Sequence, residues 1–123
     1  MAKVLIIEDD PTQSMMYEIE FNSKGFETVV ANSGKDGIAK AQTEHPDIIF
    51  CDMVLGDLIG QDVIKVLKSD PITKDITFIA LSNLNQKEVQ DEVLGLGAAE
   101  FLVKMVYFPK DIVAKAKEHL KIK

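Results

Sequence analysis

A chain of 123 residues, 46% of them apolar and 28% charged, has the length and balance of one compact domain around one core, with no room for a second. Its formal net charge of −6 argues against nucleic acid and anionic membrane as partners, since either would need a basic surface. Cys51 is the sole cysteine, which excludes an intrachain disulfide and a cysteine metal cluster.

Met1-Ala2-Lys3 runs straight into an apolar segment, with no basic region followed by a cleavage site, and no apolar run approaches a membrane span. A cytoplasmic protein with no membrane partner is therefore expected. Lys3 to Ile7 is almost continuously apolar, as a central strand covered on both faces should be. Glu8-Asp9-Asp10-Pro11 ends it, and Asp10 before Pro11 reads as a helix cap with proline at the first helical position. The first helix is expected to reach about Lys24, turning Met15, Ile19 and Met16 inward, and to stop at Gly25.

Phe26 to Val30 is the second predicted strand. Ser33 caps a second helix through about Glu44, with Ile38 and Ala41 on one face, and His45-Pro46 breaks it. Asp47 to Cys51 forms a third strand, and a loop from Asp52 to Gly60 leads to a helix burying Val63, Ile64 and Leu67. After the turn at Asp70-Pro71, Ile76 to Leu81 is the fourth strand. A helix from about Gln86 to Leu94 follows, with Val89 and Val93 four apart and Gly95 and Gly97 closing it. Phe101 to Val103 is the core of a short fifth strand. Pro109 then opens a last helix with Ile112, Val113, Ala116 and Leu120 in one stripe.

Such regular strand–helix alternation implies right-handed crossovers and a parallel sheet with helices on both faces. The expected fold is α/β, a flavodoxin-like doubly wound (βα)5 arrangement with strand order 2-1-3-4-5, spanning residues 1–123 as one domain. In such sheets ligands sit beyond the carboxyl ends of the strands, at the switch point between strands 1 and 3. Glu8 and Asp9 follow strand 1, Asp52 strand 3, Ser82 strand 4 and Lys104 strand 5. Three carboxylates crowded together repel one another unless a cation compensates them, and oxygen ligands with a partly hydrated shell suit Mg²⁺. Asp52 kept ionised in this way can attack phosphorus, while Lys104 and Ser82 supply donors to the transferred oxygens.

These residues, at these strand ends, resemble those of response-regulator receiver domains over essentially the whole chain. The resemblance implies that Asp52 is the phosphoacceptor, followed eight residues later by the family's glycine at Gly60. It implies that Asp9, Asp52 and the backbone carbonyl of Val54 hold Mg²⁺ directly, and Glu8 through water. Ser82 and Lys104 match the family's Ser/Thr and lysine, and Phe101 falls at its aromatic switch in strand 5. Val54 and Leu84 stand two positions after the phosphoacceptor and after Ser82, where receiver side chains flank the approach of the hydrolysing water. The implied partners are a histidine kinase or phosphotransfer protein as donor. A downstream protein would dock on the face of the fourth helix, fifth strand and fifth helix, about Gln86 to Leu120. Two departures stand out: Met105 follows Lys104 where the family usually has proline, and Gly56 replaces another usual proline.

Other chemistries fit less well. A phosphatase with an aspartate nucleophile typically wants a second acid two residues on, where Val54 stands. A flavin module needs a Ser/Thr/Gly-rich loop after strand 1 instead of Glu8-Asp9, which repel phosphate without a metal. A scaffold that is never phosphorylated remains the third reading. Asp57 and Asp62 read as solvated acids, Cys51 as a small buried hydrophobe, the methionines as core filler, and His45 and His119 as exposed helix-end residues. Met105-Val106-Tyr107-Phe108 is unusually apolar for a loop. It either packs inward or forms a docking patch beside strand 5.

Overall fold

The computed structural model describes residues 1–122. Its elements alternate as β1 (Lys3–Ile7), α1 (Pro11–Ser23), β2 (Glu27–Ala31), α2 (Gly34–Glu44), β3 (Ile48–Asp52), α3 (Gly60–Ser69), β4 (Thr77–Ser82), α4 (Lys87–Gly95), β5 (Glu100–Val103) and α5 (Pro109–Leu120). All four strand pairings are parallel, in the order β2-β1-β3-β4-β5. The expected architecture is the one found.

Side chains alternate across a strand, so each central strand feeds two cores. Leu5 and Ile7 of β1, with Ile49, Cys51, Phe78 and Ala80, pack against Ala41, Val63, Ile64, Leu67 and Val93 of α2, α3 and α4. Val4 and Ile6, with Ile48, Phe50, Ile79 and Leu81, pack against Tyr17 and Phe21 of α1 and Ile112, Val113 and Ala116 of α5. With both faces covered, β1 and β3 can be continuous apolar runs, and their polar residues are pushed to the strand ends.

Strand limits differ from expectation by about one residue. β2, β3 and β4 start and end one residue later than the apolar runs, so Asp52 and Ser82 are terminal strand residues and not loop residues. The parallel ladder explains this: Asp52 is registered opposite Leu81 and Ser82 opposite Val103, and backbone pairing continues after the apolar run has stopped. The ladder even continues past the strand ends, with Met53 N–H donating to Leu81 O and Lys104 N–H to Ser82 O, each at 2.9 Å.

The inward face of α1 is a larger correction. Met15, Met16 and Ile19 are exposed, and Ser14, Tyr17 and Phe21 are buried instead. The aromatic pair decides the rotation, because Tyr17 and Phe21 carry more apolar surface than the methionines and fit the sheet. Phe21 meets Phe26 edge-on at 5.1 Å between ring centres and Phe50 at 5.6 Å. Of the methionines, Met53 is core, whereas Met1, Met15, Met16 and Met105 are exposed. The helix starts behave as read: Asp10 accepts from Thr12 N–H at 2.9 Å, and Ser33 accepts from Asp36 N–H at 3.0 Å. Gly60 has a steric reason to be glycine, since a Cβ there would fall 2.7 Å from the Met53 Cα.

Candidate functional site

The carboxyl ends of β1 and β3 are adjacent because the chain winds outward from them in both directions. Glu8, Asp9 and Asp52 each bring a carboxylate oxygen to within 4.8 Å of the other two. Their settings differ. Glu8 is buried, with its N–H donating to Ala31 O and its carbonyl accepting from Asn32 Nδ2, both at 3.0 Å. Asp9 is exposed, and Asp52 is buried at the floor of an open cleft of about 350 Å³.

Lys104 reaches this cluster from the end of β5. Its Nζ donates to Glu8 Oε1 at 2.6 Å and to Asp52 Oδ2 at 2.8 Å. Asp52 Oδ1 accepts from the Val54 N–H at 3.1 Å, which fixes the carboxylate plane. Burial pushes the Glu8 carboxyl up to about 7; the Lys104 hydrogen bond opposes that rise and the Asp52 charge adds to it. For Lys104, burial alone would lower the pKa, but hydrogen bonds to Asp52 and Glu8 outweigh it and raise it. Three carboxylates against one ammonium leave the centre electron-rich. An all-oxygen donor set of this charge fits a hard divalent cation.

Ser82 is fully buried, and its Oγ accepts from the Leu84 N–H at 3.0 Å, which leaves the hydroxyl proton unused by that bond. Ser82 therefore does not cap α4, whose N-cap is Gln86 with no side-chain bond. Val54 and Leu84 both line the cleft and are 57% and 44% exposed, so apolar side chains stand at its mouth. Phe101 is half-buried and packs on the α4 side of the sheet. A Cβ at Gly56 would lie 3.5 Å from Asp9 Oδ2, so this loop comes up to the acidic pair without displacing it. Every peptide bond among the described residues is trans, Lys104–Met105 included.

A family description matches residues 4–117: the response regulator receiver domain. The chain belongs to the response-regulator receiver family. It is thus a receiver of two-component signalling, and the relatives fall in line. Protein PilH of Pseudomonas aeruginosa is 32% identical over 108 residues, covering 86% of this receiver and 88% of PilH. The DNA-binding response regulator MtrA of Mycolicibacterium smegmatis is 29% identical over 97% of the chain. The receiver spans only 50% of that longer protein. Among solved structures, the chemotaxis protein CheY4 of Vibrio cholerae superposes with a TM-score of 0.89 at 25% identity, covering 96% of this chain and 98% of that one. No helix among the described residues is long and apolar enough to cross a membrane.

Gln13 joins the cleft with no mark in the sequence, and Asp57 and His119 have partners that the sequence did not suggest. Gln13 Oε1 accepts from Lys104 Nζ at 2.8 Å. Asp57 is not merely solvated: it accepts from the N–H groups of Gly34 and Lys35 at 2.8 and 3.0 Å, and those bonds hold its carboxyl below the ordinary range. It ties the loop after Asp52 to the start of α2. His119, expected to be exposed, is half-buried and pairs with Glu100, which also accepts from Lys115 Nζ at 3.1 Å. Met105, Val106 and Phe108 are 83%, 69% and 69% exposed and present an apolar surface, whereas Tyr107 between them is half-buried and packs against the core on the α1 and α5 side, so the segment does both.

The Glu100 clamp pins α5 to β5 and gives a pH prediction. Burial alone would raise Glu100, but hydrogen bonds from His119 and Lys115 outweigh it and lower its pKa from 4.5. A depressed carboxyl adds stability above the unfolded-state pKa and loses it as pH falls through the folded value. Glu100→Gln should therefore be less stable than wild type at neutral pH, with the gap closing as pH drops below about 4.5. Urea unfolding at a series of pH values measures it; a gap that stays constant to pH 3 would remove the charged pairing as its cause.

Proposed function

We propose that this receiver accepts a phosphoryl group on Asp52 in the presence of Mg²⁺ and thereby alters the surface formed by α4, β5 and α5. The carrying observation is the convergence of Asp52 with Lys104 at 2.8 Å, beside Glu8 and Asp9, on an open cleft. Asp9, Asp52 and the Val54 carbonyl would hold the cation, and Glu8 would act on it through water, as in the receivers this chain resembles. When bound, the cation would supply positive charge that offsets the carboxylates and the phosphoryl oxygens.

An Asp52 carboxylate oxygen forms the new bond to phosphorus. The bond from phosphorus to the donor breaks, and the donor leaves with its electron pair. Lys104 and the Ser82 hydroxyl donate to the oxygens that gain charge. The donor is a histidine kinase or phosphotransfer protein, and the exposed Met105 and Phe108, in the groove next to the cleft, offer it apolar contact. The chain acts as a single receiver domain, a switch that catalyses its own phosphorylation and dephosphorylation and does not turn over a separate substrate.

The placement of two residues supports a route of transmission. Ser82 ends β4 and Phe101 lies in the neighbouring strand, opposite Ala80. Movement of the Ser82 hydroxyl towards the phosphoryl oxygens leaves room for half-buried Phe101 to turn inward, shifting a pre-existing population. Beryllofluoride, which mimics the phosphoryl group, should bind only with Mg²⁺ and shift amide resonances across Gln86 to Leu120 as well as in the Asp52 loop. Shifts confined to the Asp52 loop would refute the coupling; no binding at all would refute the acceptor site.

A further inference from the structure

A lysine ammonium has three protons, and here each has its own acceptor: Glu8 Oε1 at 2.6 Å, Asp52 Oδ2 at 2.8 Å and Gln13 Oε1 at 2.8 Å. Two acceptors are carboxylates of the acidic cluster. The third is a neutral amide from the first turn of α1. On the phosphoacceptor reading, a cation and a phosphoryl group both make new claims on the carboxylates, whereas the amide carries no charge to be claimed. We propose that Gln13 is a positioning residue for Lys104, holding the ammonium over Asp52 as its charged partners are redirected.

The orientation of the Gln13 amide is set at both ends. Its oxygen must face Lys104, which only donates, while its Nε2 donates to Asp10 Oδ2 at 3.4 Å. Asp10 is itself held by capping α1 through the Thr12 N–H at 2.9 Å. The anchor therefore runs from the helix start through Asp10 and Gln13 to Lys104. Such a tether matters because a lysine is a point charge on a flexible four-carbon stem, and transfer depends on where that charge sits. Gln13 and Lys104 also line a second groove, beside Met16, Tyr17, Met105 and Phe108. A donor protein seated there would touch the tether directly.

This inference rests on the phosphoacceptor reading, but its test separates the two. In the metal-free protein, the ¹⁵N resonance of the Lys104 ammonium reports how firmly its protons are held. Gln13→Met keeps the length and removes the acceptor, and should speed ammonium proton exchange about fivefold; Gln13→Glu keeps an acceptor and should restore slow exchange. In Mg²⁺, Gln13→Met should weaken beryllofluoride binding about tenfold, and that loss should vanish when Lys104 is already alanine. Unchanged ammonium exchange in Gln13→Met overturns the proposal. An equal loss of affinity with and without Lys104 overturns it as well, because Gln13 would then act by some other route. If the wild-type protein binds no beryllofluoride, the phosphoacceptor reading falls, and the exchange measurement still decides the role of Gln13.

Discussion

Replacing Asp52 with asparagine is expected to abolish phosphorylation outright. With acetyl phosphate and Mg²⁺, the intact mass of the wild-type protein should rise by one phosphoryl group, and that of Asp52→Asn should not change. An amide lacks the anionic oxygen that attacks phosphorus, and the neighbouring acids cannot take its place equally. Glu8 is buried and bonded to Lys104, and Asp9 is exposed at the rim. The substitution is close to isosteric and relieves repulsion among three carboxylates, so the fold should be retained, with Lys104 still held by Glu8 and Gln13. Modification at the wild-type level in the mutant, or in the absence of any divalent ion, would remove Asp52 as the acceptor.

The second large effect concerns the lifetime of the phosphorylated state. Hydrolysis needs a water in line with the phosphorus, opposite the Asp52 oxygen. Val54 and Leu84 both line the cleft around Asp52 and are 57% and 44% exposed at its mouth. Neither side chain can hydrogen-bond a water, and on the proposed function both would screen the phosphorus from solvent. Slow self-dephosphorylation is the expected result, compared with receivers that carry polar side chains in these places. Val54→Asn combined with Leu84→Glu should shorten the lifetime about tenfold, equivalent to about 1.4 kcal/mol of barrier. Loss of phosphoprotein in Mg²⁺ after donor removal is the measurement. An equal or longer lifetime in the double mutant, with fold and metal affinity intact, would show that these side chains do not set the rate.

Both predictions concern residues that were legible from the chain itself, and the reason is topological. In a doubly wound sheet the functional groups follow apolar runs, so a period and its interruption mark Glu8, Asp9, Asp52, Ser82 and Lys104 without any knowledge of contacts. The strand order comes from the likeness of five such units to the doubly wound flavodoxin-like pattern, and the one hand of each crossover then sets which face its helix covers. The pattern runs out at the ends of elements. Asp52 and Ser82 lie within strands because neighbouring backbones pair with them, which no local apolar count can register.

What the sequence by itself determined, then, is the alternation of elements, their parallel stacking and the set of polar residues at the carboxyl edge. Tertiary structure alone decided how each helix is rotated and whom each polar side chain meets. On α1 the apolar residues Met15, Met16 and Ile19 compete with Tyr17 and Phe21 for the sheet, and spacing along the helix does not rank them. The ranking comes from the space beside Phe26 and Phe50, which the two aromatic rings fill. That rotation leaves Gln13 half-buried at the cleft, within reach of Lys104, a residue 91 positions away. The tie from Asp57 to α2 and that from His119 to Glu100 arise in the same way. A polar side chain's partner is fixed by which elements pack together, and packing is settled by volume and shape across the whole core.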